Sequence, residues 1–491
     1  MKKKIIFFLI GALGLTAGCN DFLDIRQENS VPVVGFDYSN PSNLFLPLSA
    51  AYASTRNGNA FAMPYFTMME IASDNADKGS SPGDGADQAA VDTLNFRPAN
   101  GLFNSIWVGY YDIISSANFA IEAMDQFMTS LDSPSDRQKA KSYRGEAQIL
   151  RAFAYFNLVR LFGNIPIVDR SLTSEELGTL PQSTAQQVYT FIKNDLNAAI
   201  AVVPTTQPSE YPGRYTKYTA CALKAKVHLY NNEFDSTAYY ANQVIASNLY
   251  DLLPDFRTYF SVQGKNSKES LLEIQSSTAG NNATYLEYAY QQGPRNNKPS
   301  NMQGWGFCVP SNDLIKFYNT RGEKIRPATT LLRRGTVTPE GDTIFSFCEN
   351  PVYNGKAYTP KQYNTWAYDG YGFNQNVRIL RYADVLLMYA EALARGGAMP
   401  EGGITMEEAY NKVRTRAGMA EGTPTVQDIW DERRAEFAME EDRFFDLIRT
   451  GQAQKVFAAL GLTFNPDKNN IYPIPTAQLD LNKNLKQNPG Y

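Results

Sequence analysis

Histidine and cysteine are nearly missing from this 491-residue chain, which has 1 His and 4 Cys. No CxxC occurs, so zinc-ribbon and thioredoxin-type chemistry have no motif to stand on, and a zincin HExxH is excluded with it. A Ser-His-Asp arrangement would have to use His228, which falls inside a helical pattern and reads as a packed or capping residue. Basic excess is also missing: 46 Lys+Arg stand against 50 Asp+Glu, which leaves no footprint for nucleic acid. Asp74 to Gly79 is short of EF-hand ligands, because Ala76 and Lys78 occupy ligand positions; Asp84 and Asp87 leave a looser oxygen site open. Neither a cofactor nor a metal is expected. Beyond Ala17 no apolar run reaches the roughly 20 residues that a membrane helix requires.

What is present begins at the first residues. Lys2, Lys3 and Lys4 precede an uncharged apolar stretch from Ile5 to Ala17. That pattern predicts a secretory signal over residues 1–18. Leu15-Thr16-Ala17-Gly18-Cys19 resembles a bacterial lipobox with its leucine one position early. Cys19 is therefore the expected lipidation site; ordinary cleavage would leave it a free thiol. Loss of the three leader lysines takes the formal charge from −4 to −7. Residues 19–43, with Pro32, Gly35 and Pro41, read as an extended tether.

Helical stripes follow over residues 44–250: 43–54, 103–127, 137–162, 184–203, 219–230 and 234–246. Ser183 or Thr184 is the expected cap of the fourth, and Pro204 ends it. Phe234, Ala238, Ala241 and Ile245 face Ala222, Ala225 and Leu229 across a three-residue turn. Small residues at such a crossing resemble a tetratricopeptide unit. A second pair is expected late, at 377–395 and 405–417, with Glu391 and Arg395 in the favourable i,i+4 register. The expected fold class is mostly α: a helix-pair solenoid with one irregular, loop-rich inserted lobe over 251–376 and a C-terminal helical region over 377–491. Within the lobe one short helix is expected from Ser311 to Tyr318. Cys308 and Cys348 either pair or stay as buried thiols; Cys221 reads as a small packed residue.

The runs LRYADVLLMYAEALAR (380–395), AYNKVRTRAGM (409–419), ERRAEFAMEEDRFFDLIRTG (432–451) and YPIPTAQLDLNKNLKQNPGY (472–491) resemble the SusD/RagB family, as does RGEAQILRAFAYFNLVRLFGNIPIV (144–168). CNDFLD at Cys19 resembles the surface-export signal of Bacteroidetes lipoproteins. The resemblance implies a SusD-like, tetratricopeptide-like scaffold that is no enzyme. It implies lipid attachment to the outer face of the outer membrane and partnership with a SusC-like TonB-dependent transporter. The implied cargo is an oligosaccharide, or alternatively an oligopeptide; a surface scaffold without small ligand is the second alternative.

The family motif assigns no cargo residues, so these are read from composition. Aromatic residues crowd two stretches of the lobe, 285–307 and 353–373. A flat ring covers the apolar C–H face of a sugar, and neighbouring polar groups meet its hydroxyls. Trp305, between Gly304 and Gly306, is the first choice. Trp366, Tyr285, Tyr363, Tyr368, Asn301 and Arg295 complete the expected ligand set. Most other rings of the lobe, and Trp107, are expected in the core. Residues 73–100 read as an exposed loop. Glu432, Glu436 and Glu440, interspersed with Arg433, Arg434, Arg443 and Arg449, read as an ion-pair network fixing the last helices, in preference to an acid-base or cation site.

Overall fold

The computed structural model describes residues 36–276, 286–298, 303–363 and 374–491. Its main helices, in chain order, are α1 (Leu46–Ser54), α2 (Gly101–Ser130), α3 (Pro134–Phe162), α4 (Ala185–Val202), α5 (Lys217–Tyr230), α6 (Phe234–Ile245), α7 (Asn312–Arg321), α8 (Tyr382–Ala394), α9 (Met406–Arg416), α10 (Val426–Phe437) and α11 (Arg443–Arg449). Consecutive members stack: α2 on α3, α3 on α4, α4 on α5, α5 on α6. The chain then leaves the array, builds the lobe, and returns at α8, which packs on α6 and carries α9 and α10.

Local sequence explains where the helices start and stop. Thr184, Thr216, Thr405 and Thr425 each form a capping box, with Gln187, Thr219, Glu408 and Asp428. Each such cap is worth about 1 kcal/mol. Gly163 ends α3 with φ +71°, a left-handed position that a side chain would strain. Ala222, Ala225, Ala238 and Ala241 are fully buried between α5 and α6, so the two helices approach closely, as their spacing predicts. Trp107 is core at 4% exposure.

Two expectations change. Residues 377–395 are not one helix: Val377–Arg381 is a strand that pairs antiparallel with Ser270–Ile274, in the register Ser270↔Arg381 and Ile274↔Val377. A short apolar run between arginines carries no period that separates a buried strand from a helix. Nor does the tether run to 43. Phe36 and Tyr38 pack their rings on Phe127 of α2 at 6.0 and 5.2 Å, so residues from 36 onward belong to the folded body.

The lobe is more regular than its composition suggests. Among the described residues its strands form two-stranded antiparallel pieces, two of them with a partner strand from outside 251–376. They are β1 (Ala76–Gly79) with β3 (Phe307–Pro310), β2 (Ser270–Ile274) with β8 (Val377–Arg381), β4 (Leu331–Arg333) with β7 (Val352–Asn354), and β5 (Thr336–Val337) with β6 (Thr343–Ile344). The expected short helix is α7, capped by Ser311. Cys221, Cys308 and Cys348 are free and buried.

Buried ion pairs join the lobe to the array. Arg381 reaches Glu436 at 2.6 Å, Glu440 at 2.8 Å and Glu269 at 3.0 Å. Arg326 holds Glu432 at 2.7 Å, and Arg449 holds Glu391 at 2.6 Å. Arg433 pairs with Asp384 and, at 2.8 Å, with Asp446. Burial alone would raise the Glu436 carboxyl, but Arg416, Arg381 and Arg326 bring it down to about 2. Glu440 lies beyond the end of α10, not on its face. The charged run is thus a structural network, with no open position for chemistry on its fully buried Glu432 and Glu436.

Candidate ligand-binding site

The site grows from the β1–β3 pair. Asp77 faces Val309 and Gly79 faces Phe307. Ser80 continues the ladder by donating its N–H to the Gly306 carbonyl at 2.6 Å. Gly79 has φ +69°, and a Cβ there would stand 2.4 Å from the Gly306 oxygen, so the two segments meet this closely only with glycine. On the other side of Trp305, a Cβ on Gly304 would stand 2.4 Å from the Tyr290 carbonyl. The flanking glycines therefore let the Trp305 backbone press against its supports.

Trp305 is half-buried. Its N–H donates to the Tyr290 carbonyl at 3.0 Å, and its ring meets Tyr290 edge-on at 5.7 Å. Tyr290 itself is 6% exposed, a fixed support. Arg295 pairs with Asp84 at 2.9 Å and donates to Ser80 Oγ at 3.3 Å and the Trp305 carbonyl at 3.4 Å. Ser80 Oγ donates to Asp84 at 2.9 Å. That bond first, and Arg295 after it, hold the Asp84 carboxyl below its usual range. Lys78 Nζ closes the 80–85 loop by donating to the carbonyls of Ser81 and Asp84 at 2.9 and 2.8 Å. The result is a half-buried Trp305 next to the half-buried pair Arg295 and Asp84, with the buried Ser80 bonded to both.

The expected residues divide. Trp305 and Arg295 come together. Tyr363, half-buried on a short turn from Lys361 to Tyr363, is joined to Gln263 instead. Trp366, Tyr368, Tyr285, Asn301 and Cys19 lie outside the described residues. Tyr288, Tyr353 and Tyr358 are core, at 6%, 0% and 6% exposure. The stretch read as an exposed loop is split: Asp74 and Asn75 are buried, and Asp74 is clamped by Arg443 at 2.7 Å and Arg434 at 3.0 Å. Asp84, named above for a looser oxygen site, pairs with Arg295 instead; Lys78 and Ser80 are contributors that no ring or motif revealed. Asp92 is pushed up to about 6, by burial and less by Asp77. No group of three metal-ligating side chains forms among the described residues.

Gly79-Ser80-Ser81-Pro82-Gly83 spells the letters of a nucleophile elbow. The strand-turn-helix setting is wrong: β1 ends at Gly79 and the next helical residue is Ala86. His228 is occupied elsewhere, stacked on Tyr240 at 5.4 Å and bonded to Glu233. A groove of about 440 Å³ lies between α2 and the C-terminal segment, lined by Trp107, Tyr111, Val168, Leu177, Leu481 and Leu485 among others. Its wall is largely apolar. A sugar needs polar groups beside a ring, and the Trp305 face supplies both.

Comparison with known proteins gives one direction. A family model described as "SusD family" matches residues 349–491, and one described as "Starch-binding associating with outer membrane" matches 21–229. A SusD-like protein P2 of Formosa agariphila is 29% identical over 528 residues, covering 100% of both chains. Among solved structures, a laminarin-binding SusD-like protein superposes with a TM-score of 0.80 at 27% identity, over 92% of this chain and 100% of that one. Surface glycan-binding protein A from Bacteroides fluxus superposes with a TM-score of 0.79 at 26% identity, over 92% and 100%.

Proposed function

This chain belongs to the SusD/RagB family, and on that premise we propose that it is a cell-surface lipoprotein that captures oligosaccharides without cleaving them. It passes them to a SusC-like TonB-dependent transporter in the outer membrane. The observation that carries the cargo class is the Trp305 face, where a half-buried Trp305 neighbours the Arg295–Asp84 pair, braced by the buried Ser80. The ring takes the C–H face of a pyranose and the pair meets its hydroxyls. Loops on a rigid scaffold are the usual place for such contacts.

The peptide alternative needs cations free to meet acidic side chains. Arg295 already has its counter-charge in Asp84, which favours an uncharged glycan at this face. The laminarin-binding neighbour makes laminarin the first polysaccharide to try. Binding without hydrolysis agrees with the chemistry present: His228 is packed away, and the charged run is a structural network.

Cys19 is the proposed lipid anchor. Several acyl chains, at about 0.8 kcal/mol per buried CH₂, would hold the protein to the outer leaflet. The chain from Cys19 to Phe36 could reach at most roughly 55 Å, and we propose it as the tether that lets a lid swing over a transporter.

The test is affinity electrophoresis of the unlipidated mature chain against laminarin, starch, fructan, xylan, mannan, pectin, mucin glycans and an oligopeptide mixture. Retardation by a glycan, lost in Trp305→Ala, is the expected outcome. Binding to peptides alone would transfer the role to peptide cargo. No binding across the whole panel would leave the scaffold reading in its place.

A further inference from the structure

Two exposed apolar side chains stand where the chain enters its folded body. Leu46, the first residue of α1, is 47% exposed, and so is Tyr211 in the loop between α4 and α5. The Tyr211 ring rests on Phe45 with centroids 5.3 Å apart, and Phe45 meets Tyr143 of α3 edge-on at 5.6 Å. Tyr143 in turn packs on the cluster of Leu44, Phe127 and Leu131, the same cluster that seats Phe36 and Tyr38. The patch is therefore continuous with the point at which the chain from Cys19 joins the body. Apolar side chains this exposed gain little from folding, so the core does not explain where Leu46 and Tyr211 stand.

The loop that presents Tyr211 is braced. The Lys217 N–H donates to the Pro204 carbonyl at 2.9 Å and closes its base, and Gln207 Nε2 donates to the Tyr215 carbonyl at 2.6 Å. The Tyr211 N–H itself donates to the Pro208 carbonyl at 3.1 Å. Arg214 lies over the Phe45 and Tyr143 rings at 5.3 and 4.8 Å, and its Nε donates to the fully buried Glu146 at 3.1 Å. The rings thus have a fixed floor, and the cation beneath them already has its counter-charge.

We infer that Phe45, Leu46 and Tyr211 dock on the lipid surface to which the chain is tethered. This rests on the Cys19 anchor. The occupant follows from where the chain outside the structure ends: a lipid on Cys19 keeps Phe36, and the patch continuous with it, within roughly 55 Å of the bilayer. Confinement by so short a tether raises the effective concentration to the millimolar range, so a contact too weak to hold a free chain is enough for a tethered one. A ring with a hydroxyl edge suits the boundary between acyl chains and water, where tyrosine collects. Because Arg214 is already paired, the contact is apolar burial and does not respond to salt.

The experiment tethers the unlipidated mature chain, through a hexahistidine tag ahead of Asn20, to phosphatidylcholine vesicles doped with a nickel-chelating lipid. It therefore reads the patch whether or not Cys19 is the natural anchor. An environment-sensitive fluorophore on Ser209→Cys should shift to the blue on tethering and be quenched by a spin-labelled lipid. The same fluorophore on Tyr239→Cys of α6 should do neither. Leu46→Ser combined with Tyr211→Ser should abolish both signals at Ser209→Cys; both side chains are exposed, so the circular dichroism spectrum should match the native one. High salt should leave the signals in place. No shift at Ser209→Cys in the tethered chain overturns the docking and leaves the Cys19 anchor to its own release test. Signals that survive the double substitution, vanish in high salt, or grow with the surface density of the protein also overturn it, the last by making a second copy of the chain the occupant.

Discussion

Glu441 and Glu70 are two neighbouring, fully buried carboxyls. The Glu441 N–H donates to Glu70 at 2.9 Å, the Met439 N–H to the other Glu70 oxygen at 2.8 Å, and Tyr288 hydroxyl to Glu441 at 2.7 Å. Burial pushes Glu70 up to about 7, and burial with the neighbouring Glu70 pushes Glu441 well up. Both folded values lie above the ordinary carboxylate range of about 4.3. The stability they contribute is therefore complete below about pH 4.3 and is lost as pH rises through 7. Glu441→Gln keeps an acceptor for Tyr288 and removes the charge. It should raise the unfolding midpoint at pH 8 by roughly 2 °C or more and leave it unchanged near pH 4.5, as read by differential scanning calorimetry at both pH values. Met439 and Glu441 hold φ of +67° and +62°, strain that their bonds to Glu70 help to sustain.

At the scale of elements, the opposite sign governs the ion-pair network. Burial would raise Glu436, Glu391 and Asp74, yet arginines bring each to about 2: Arg416, Arg381 and Arg326 for Glu436, Arg449 for Glu391, Arg443 and Arg434 for Asp74. Their contribution is complete above about pH 4.5 and is lost as pH falls toward 2. Stability should therefore fall steeply below about pH 4, measurable as the urea midpoint against pH. Arg381 ties β8 at once to Glu269 beside β2 and to Glu436 on α10. Arg381→Met takes one arginine from each of those carboxylates, which Arg416 still pairs, and should cost about 3 kcal/mol in urea unfolding at pH 7.

Elements also show what residue patterns disclose. Helices α2 to α6 follow from their stripes, threonine caps and Gly163. β8 does not, because Val377-Arg378-Ile379-Leu380-Arg381 is buried on both faces and reads equally as the start of α8. Trp305 stood out by its glycines. Ser80 and Lys78 did not, because their role comes from the β1–β3 pairing, a contact across more than 200 residues of chain; Asp84 stood out for an oxygen site and not as the partner of Arg295.

At the scale of the whole molecule, the array is a support and the lobe is what it presents. The last residues bind back onto the first helices, with Asn488 donating to the Phe162 and Tyr472 carbonyls at 2.9 and 2.7 Å. The closing motif that carries the family resemblance is thus a clasp, and its specificity is structural. On the proposed reading, cargo choice falls to the lobe. The anchor is separable from both: Cys19→Ala should release the protein from the cell surface and leave glycan affinity unchanged, as read by surface labelling and titration. A variant that stayed on the surface would show that the lipid is not the anchor.

The most direct test of the glycan face is titration of native chain and Trp305→Ala with the glycan that retards the native protein most. Saturable binding by native protein and an affinity at least tenfold lower in the variant, a loss of about 1.4 kcal/mol, are expected, with the variant still folded by circular dichroism. Undiminished affinity in Trp305→Ala would contradict it.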